Sequence, residues 1–341
     1  MGFKRRGIFL SMLLVLMLAL VGCGSNENGS KAVASKKEDG KWPHRNTTLI
    51  LPFDAGGSLD SMMRVIAKSL EKELDTKITI DNRPGAATQV GTTIFVNSKD
   101  DGSVLFGGTQ LYLSASILLQ DAGYDIDDFS MVNIEQFDPV TITVPKDSQF
   151  QTFGDLIEYA SDNPGKLSYS TVHGGPLHLT GVLLEDKLGI QLNPVFYDGG
   201  GEMRNALLGN HVDFMIGNAL GDNAIADNVR VLAVASDEVM DLWPDAEPIN
   251  EALKPYNVEV PKVGSVRFLA THSSLKEKHP ELFDQLSKAY QTVYESDEYQ
   301  QFIKDNNAEA VSEYRGPEES DELNQSLHSL LNDYKDVLNN N

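Results

Sequence analysis

Residues 47–74 read TTLILPFDAGGSLDSMMRVIAKSLEKEL, and three kinds of local chemistry follow one another there. Thr47–Leu51 is β-branched and apolar, the composition of a buried strand. Pro52-Phe53-Asp54-Ala55-Gly56-Gly57-Ser58 is loop chemistry, rich in Gly and small polar residues. Leu59, Met62, Met63, Ile66, Leu70 and Leu74 then recur at helical spacing, which predicts an amphipathic helix. Strand, glycine loop and helix together make the first half of a βαβ unit.

The alternation continues outward. Lys77–Ile80 reads as a strand closed by Asp81-Asn82-Arg83-Pro84-Gly85, Val90–Val96 as a short helix and Val104–Phe106 as a strand. Downstream, Phe153–Ala160, Leu177–Leu188 and Glu202–Leu208 read as helices. Leu167–Ser170, Val195–Tyr197, Phe214–Ile216 and Val231–Ala235 read as strands, and the acidic tail from Leu275 as largely helical. Repeated βαβ units predict an α/β fold with parallel sheets flanked by helices. Ligands in such sheets sit beyond the carboxyl ends of the strands, at helix N-termini. Four loops there are rich in Gly and small hydroxyls: Phe53–Ser58, Gly107–Gln110, Thr171–Gly175 and Asp198–Gly201. Their backbone N–H groups and helix dipoles predict an anion site that needs no Lys or Arg.

Composition narrows the function. The chain has 341 residues, 28 Lys+Arg, 50 Asp+Glu, a formal charge of −22, 41% hydrophobic residues and one cysteine. That length suggests about two domains. The charge argues against nucleic acid or an anionic membrane surface as partner. A single cysteine excludes a disulfide framework and any multi-cysteine metal site, and no cofactor motif is present. Taken alone, −22 suggests a cationic ligand; the four loops point the other way.

The first residues read as an address. Lys4, Arg5 and Arg6 precede 16 uncharged residues, Gly7 to Gly22, the n- and h-regions of a secretory signal. Leu20-Val21-Gly22-Cys23 resembles the lipobox of bacterial lipoproteins, in which the cysteine is lipidated. An uncleaved anchor, or ordinary cleavage beside a chance cysteine, is the other reading. Cleavage would leave 319 residues with a formal charge of −25. Residues 23–43, small and polar over 24–41, read as a flexible tether reaching roughly 20–25 Å.

Three stretches carry a family resemblance: LILPFDAGGSLD from Leu49, ITIDNRPGAATQVGT from Ile78 and DGSVLFGGT from Asp101. Tyr124-Asp125 with Asp128-Phe129, Pro164-Gly165-Lys166-Leu167, His178-Leu179, Tyr197-x-Gly199, Leu208-Gly209-Asn210-x-Val212-Asp213 and Val231-Leu232-Ala233-Val234 follow in order. From Trp42 onward the chain resembles the substrate-binding proteins of tripartite tricarboxylate transporters, the Bug receptors. The resemblance implies a periplasmic-binding-protein fold: two α/β lobes, 44–140 with 265–341 and 141–264, joined by crossing segments near Val140 and Val266. It implies a small organic carboxylate trapped between the lobes and delivered to a membrane permease. Its ligand contacts fall on Phe53, Asp54, Ala55, Gly56, Gly57 and Thr109 in one lobe and on Thr171, Gly174 and Tyr197 in the other. A lipid-anchored extracytoplasmic monomer that performs no chemistry is expected. The same receptor acting as a sensor for a signalling partner is the alternative.

Departures from the family pattern cluster near the expected cleft. Asp198 stands where Lys is common, Gly217-Asn218 where a strand commonly ends in Asp, and Thr271–Ser274 where P-x-G-T-P is usual. His173, in Thr171-Val172-His173-Gly174-Gly175, is either a ligand donor that strengthens below about pH 6.5 or a loop histidine satisfied by backbone or water. His173-Gly174-Gly175 is also similar to an esterase oxyanion loop, but no G-x-S-x-G elbow accompanies it, so a cell-surface hydrolase is disfavoured. Asp121, Asp125, Asp127 and Asp128 lack EF-hand spacing and read as turn carboxylates. Tyr290, Tyr294 and Tyr299 read as packing residues.

Overall fold

The computed structural model describes residues 42–339; the signal segment, Cys23 and nearly all of the tether lie outside them. Ten strands form one mixed sheet: β1 Asn46–Leu51, β2 Lys77–Asn82, β3 Val104–Thr109, β4 Phe129–Pro145, β5 Ser168–Thr171, β6 Asn193–Phe196, β7 Phe214–Asn218, β8 Val229–Val234, β9 Glu247–Pro248 and β10 Gly264–His272. The helices that matter most to the site are α1 Ser58–Leu74, α2 Gln89–Val96, α3 Gln110–Leu119, α4 Phe153–Asp162, α5 Pro176–Leu188, α6 Gly200–Leu208 and α7 Ala219–Asp222. Others follow from Ile249 onward and fill most of the tail after Ser273.

Strand order is β2-β1-β3-β10-β4-β7-β5-β6, with β8 between β4 and β9. Pairing is parallel within β2-β1-β3 and within β7-β5-β6, as the βαβ reading expects. The centre departs from that reading, because β10 runs antiparallel to β3 and β4, and β4 antiparallel to β7 and β8. Strand β4 is 17 residues long and changes neighbours along its length. Phe129–Pro139 pairs with β10, and Val140–Pro145 pairs with β7 and β8. One continuous strand therefore belongs to two stretches of sheet.

Local chemistry explains the first unit. Leu59, Met62, Met63, Ile66, Leu70 and Leu74 are all buried, the stripe that joins α1 to one core with Leu49 and Leu51 of β1, Leu105 of β3 and the tail residues Phe283, Leu286 and Tyr290. Trp42, at the end of the predicted tether, is buried and donates through Nε1 to Thr47 Oγ1 at 3.0 Å. Asp125 and Asp128 close a turn on backbone amides. Among the described residues no three metal-ligating side chains cluster, and no helix is long and apolar enough to cross a membrane.

Tyr290 and Tyr299 are fully buried and also polar partners. Their hydroxyls donate to Glu135 of β4 at 2.7 and 2.5 Å. Burial pushes the Glu135 carboxyl up to about 7, although both tyrosines and Arg267 pull it down. A carboxyl raised in the folded state binds more protons there than in the unfolded chain. Its contribution is therefore full below the unfolded value of 4.5 and is lost as pH rises toward 7. The stability of Glu135→Gln relative to wild type is expected to improve on going from pH 5 to pH 8, on the order of 2 kcal/mol. Denaturant melts at the two pH values measure this; a pH-independent difference would contradict it.

Candidate functional site

A cleft of about 530 Å³ opens where the β1–α1 loop, the β3–α3 junction and the start of α6 meet over the central strands. Phe53, Asp54, Ala55, Gly56, Gly57 and Thr109 all line it. The other predicted positions do not. Thr171 is fully buried at the end of β5 and takes the Tyr197 N–H on its carbonyl. Gly174 has φ +75° and donates its N–H to His178 Nδ1 at 3.3 Å. His173 is exposed, its ring 5.2 Å from that of His178 and 5.1 Å from that of Phe196. Burial, with His173 adding to it, drives His178 down to about 4, so it accepts as a neutral ring. From this region the cleft receives Val172 and Leu177.

The glycine loop is built by a carboxylate. Asp60, 3% exposed, accepts the Gly56 N–H at 2.8 Å, Arg64 Nε at 2.8 Å and Asn82 Nδ2 at 3.0 Å. Asn82 Nδ2 also donates to the Phe53 carbonyl at 3.1 Å. The Asp of P-F-x-x-G-G-x-x-D and the Asn of N-R-P-G thus hold the loop from beneath. Gly56 needs its freedom, with φ +88°. The Gly56 amide, expected to face a ligand, is already committed to Asp60.

Three helix N-termini open onto the cleft. The helices α1, α3 and α6 begin at Gly57, Thr109 and Gly199, and none has a side-chain cap. All three N-cap residues line the cleft. Away from it, α4 carries a capping box at Thr152 and Asp155, whereas α2, α5 and the helix from Pro317 also lack a side-chain cap. Uncapped first turns present free N–H donors and a positive dipole end.

Several site residues carry no motif in the sequence. Tyr112 of α3 lies edge-on to Phe53 with ring centres 6.0 Å apart. Burial pushes its phenol far up, which keeps it an O–H donor. Gly175 exists for this ring, since a Cβ there would come within 2.2 Å of it. At the floor, Arg267 donates to Gln136, to Ser58 Oγ at 3.0 Å and to Asp138 Oδ2 at 3.3 Å. Asp138 Oδ1 accepts the Leu220 N–H at 2.8 Å. Asp222 is buried between the hydroxyls of Thr141 and Thr143 at 2.7 and 2.9 Å, and burial raises it to about 6. Its carboxylate fills the space over Gly217, where a Cβ would lie 2.3 Å away. Arg204 of α6 is the second cleft guanidinium. These side chains come from α6, α7 and the central strands, whose meeting point only the tertiary fold defines.

Asp60→Ala is expected to cost about 1–2 kcal/mol, because it removes the buried acceptor shared by the Gly56 amide, Arg64 and Asn82. Its partners hold Asp60 below the ordinary carboxylate range despite burial, so this contribution is present above pH 4 and fades as pH falls. Urea melts of wild type and Asp60→Ala at pH 7 and pH 3.5 should converge toward the acid end.

Residues 62–332 match the family model of the tripartite tricarboxylate transporter family receptor. The chain is 27% identical to Protein BugT of Bordetella pertussis over 256 residues, 73% of this chain and 78% of that protein. It is 29% identical over 215 residues to a UPF0065 protein of Pseudomonas sp. strain P51, covering 62% of this chain and 64% of that one. The alignment with the Pseudomonas protein thus spans just under two thirds of its length. In structure the chain is similar to MatC from Rhodopseudomonas palustris with bound malate (TM-score 0.74, 22% identity, 87% of this chain and 100% of that one). It is also similar to the periplasmic binding protein BugD (TM-score 0.73, 24% identity, 87% and 98%), so the mixed α/β fold is that of periplasmic solute-binding proteins. With the family pattern matched across most of its length, the chain belongs to the tripartite tricarboxylate transporter receptor family.

Proposed function

We propose that the protein captures a small organic acid in this cleft, without chemistry, and delivers it to a membrane permease. One observation carries the reading: three helix N-termini without side-chain caps converge on a single cleft. Structural neighbours bound to malate and to adipate agree with it in ligand class.

In this reading the lobes are 44–140 with 265–341 and 141–264. The change of partners along β4 near Val140 supports that division. The lobes close on the ligand, and exclusion of water strengthens each polar contact inside. A lipid on Cys23 holds the protein at the outer face of a membrane, supported by the lipobox-like Leu20–Cys23.

A thermal-shift screen tests the binding reading. Di- and tricarboxylates are expected to raise the Tm of ligand-free protein, since a ligand at 100 times its Kd adds about 2.7 kcal/mol. Gly57→Val should abolish the shift and leave the unliganded Tm nearly unchanged. Its φ is −74°, and a Cβ there meets only the Asp54 carbonyl at 3.8 Å, so the added bulk enters the cleft without straining the backbone. A panel of organic acids that produces no shift would overturn the reading. Separately, Cys23→Ser is expected to abolish metabolic labelling with a fatty acid; persistent label would refute the anchor.

A further inference from the structure

Two guanidinium groups line the cleft, and they stand in different states. Arg267 is saturated by Gln136, Ser58 and Asp138 and is 4% exposed. Arg204 is half-buried and, among the described residues, donates no hydrogen bond and has no carboxylate within ion-pair distance. Its position is shaped by backbone. A Cβ at Gly200 would lie 3.0 Å from Arg204 Nη1, and one at Gly221 would lie 3.1 Å away. Two glycines on different helices thus form a slot for the group. Asp222 acts on Arg204 through space while its own hydrogen bonds go to Thr141 and Thr143. Glu202, in the same turn, is exposed and takes the Asp198 N–H at 3.2 Å.

The facing β1–α1 loop is poorer in positive potential than its glycines suggest. The Gly56 amide is spent on Asp60. Asp60 itself lies in the first turn of α1, where its charge offsets the dipole. Asp54 in the same loop is an exposed carboxylate.

We propose that Arg204 is the specificity-determining residue of the cleft: its guanidinium holds the ligand's carboxylate, so that the charged anchor lies on α6 and not on the Phe53–Ser58 loop. The assignment rests on the organic-acid reading above and deepens it. A planar guanidinium meets a carboxylate through two parallel hydrogen bonds, which a lysine ammonium cannot reproduce. The β1–α1 loop and the Tyr112 hydroxyl then grip the rest of the ligand.

The test is calorimetric titration of wild type, Arg204→Gln, Arg204→Lys and Gly221→Ala. The probe is the tightest binder among malate, adipate and citrate, used with the derivative retaining one carboxylate and the full amide. Removing that last carboxylate should weaken wild-type binding about 10- to 100-fold and Arg204→Gln binding less than about twofold. Arg204→Lys should fall between them. Gly221→Ala, which crowds the slot but keeps the charge, should also lower the affinity of the one-carboxylate form; unchanged affinity there counts against the slot. If Arg204→Gln fails to fold, Arg204→Lys and Gly221→Ala decide alone. An equal carboxylate penalty in wild type and Arg204→Gln overturns the assignment and leaves the organic-acid reading standing. No binding of any of the acids to wild type overturns both.

Discussion

The buried pair Arg267–Asp138 is the constraint around which the rest is arranged. Both side chains are at most 4% exposed, and an ion pair so enclosed bears a desolvation cost that its attraction repays only with further hydrogen bonds. Those bonds are distributed in a particular way. Arg267 reaches Ser58 at the start of α1, and Asp138 takes the Leu220 amide of α7. The pair thereby ties an element packed beside β1 to one packed beside β7. It does so at the point where β4 exchanges partners. Burial raises Asp138, and Arg267 with the Leu220 and Gly221 amides pulls it back. Removing either partner would leave a charge with no water to solvate it, so breaking such a pair costs far more than its presence adds to stability.

The same central strands explain what was legible in the sequence and what was not. Thr47–Leu51 and the stripe from Leu59 to Leu74 follow their periods because one face meets an apolar core and the other does not. Strand β4 breaks that rule. Asn133, Glu135, Gln136 and Asp138 are buried on it and break the apolar pattern over Phe129–Pro139, although Val140–Val144 still alternates. The partners of the buried polar residues lie 79 to 182 residues away, in Asp222, Arg267, Tyr290, Tyr299 and Arg315. A pattern window sees no partner at that range, and the antiparallel centre of the sheet was hidden for this reason. The tyrosines read as packing residues for the complementary reason: their hydrophobic bodies are visible in the sequence and their acceptor is not.

Motif residues divide between building the cleft and lining it. Asp60 and Asn82 stand in the most distinctive stretches of the sequence and face the loop from behind. Tyr112, Arg204 and Asp222 stand in none and reach the cleft. A loop that must hold left-handed Gly56 under a ligand depends on specific acceptors beneath it, and their spacing leaves a sequence signature. The groups that meet the ligand are set by its shape and charge, so no fixed spacing announces them. The resemblance therefore identified the loop and the cleft more readily than the lining side chains that other elements contribute.

Charge is the last place where the total misleads and the arrangement informs. A formal −22 describes the far field, which salt screens beyond about 8–10 Å. Within the cleft, six carboxylates and two guanidinium groups line the wall, a balance that alone would still point to a cation. Three of those carboxylates are already answered: Asp60 by Arg64, Asp138 by Arg267, and Asp222 by two hydroxyls and a raised proton affinity. Asp54, Asp198 and Glu202 are exposed, where water weakens them. What remains inside is Arg204 without a hydrogen-bonded partner and three helix N-termini without caps. An acidic protein can thus present positive potential at one small place, because its negative groups there are either paired or wet while Arg204 has no hydrogen-bonded partner.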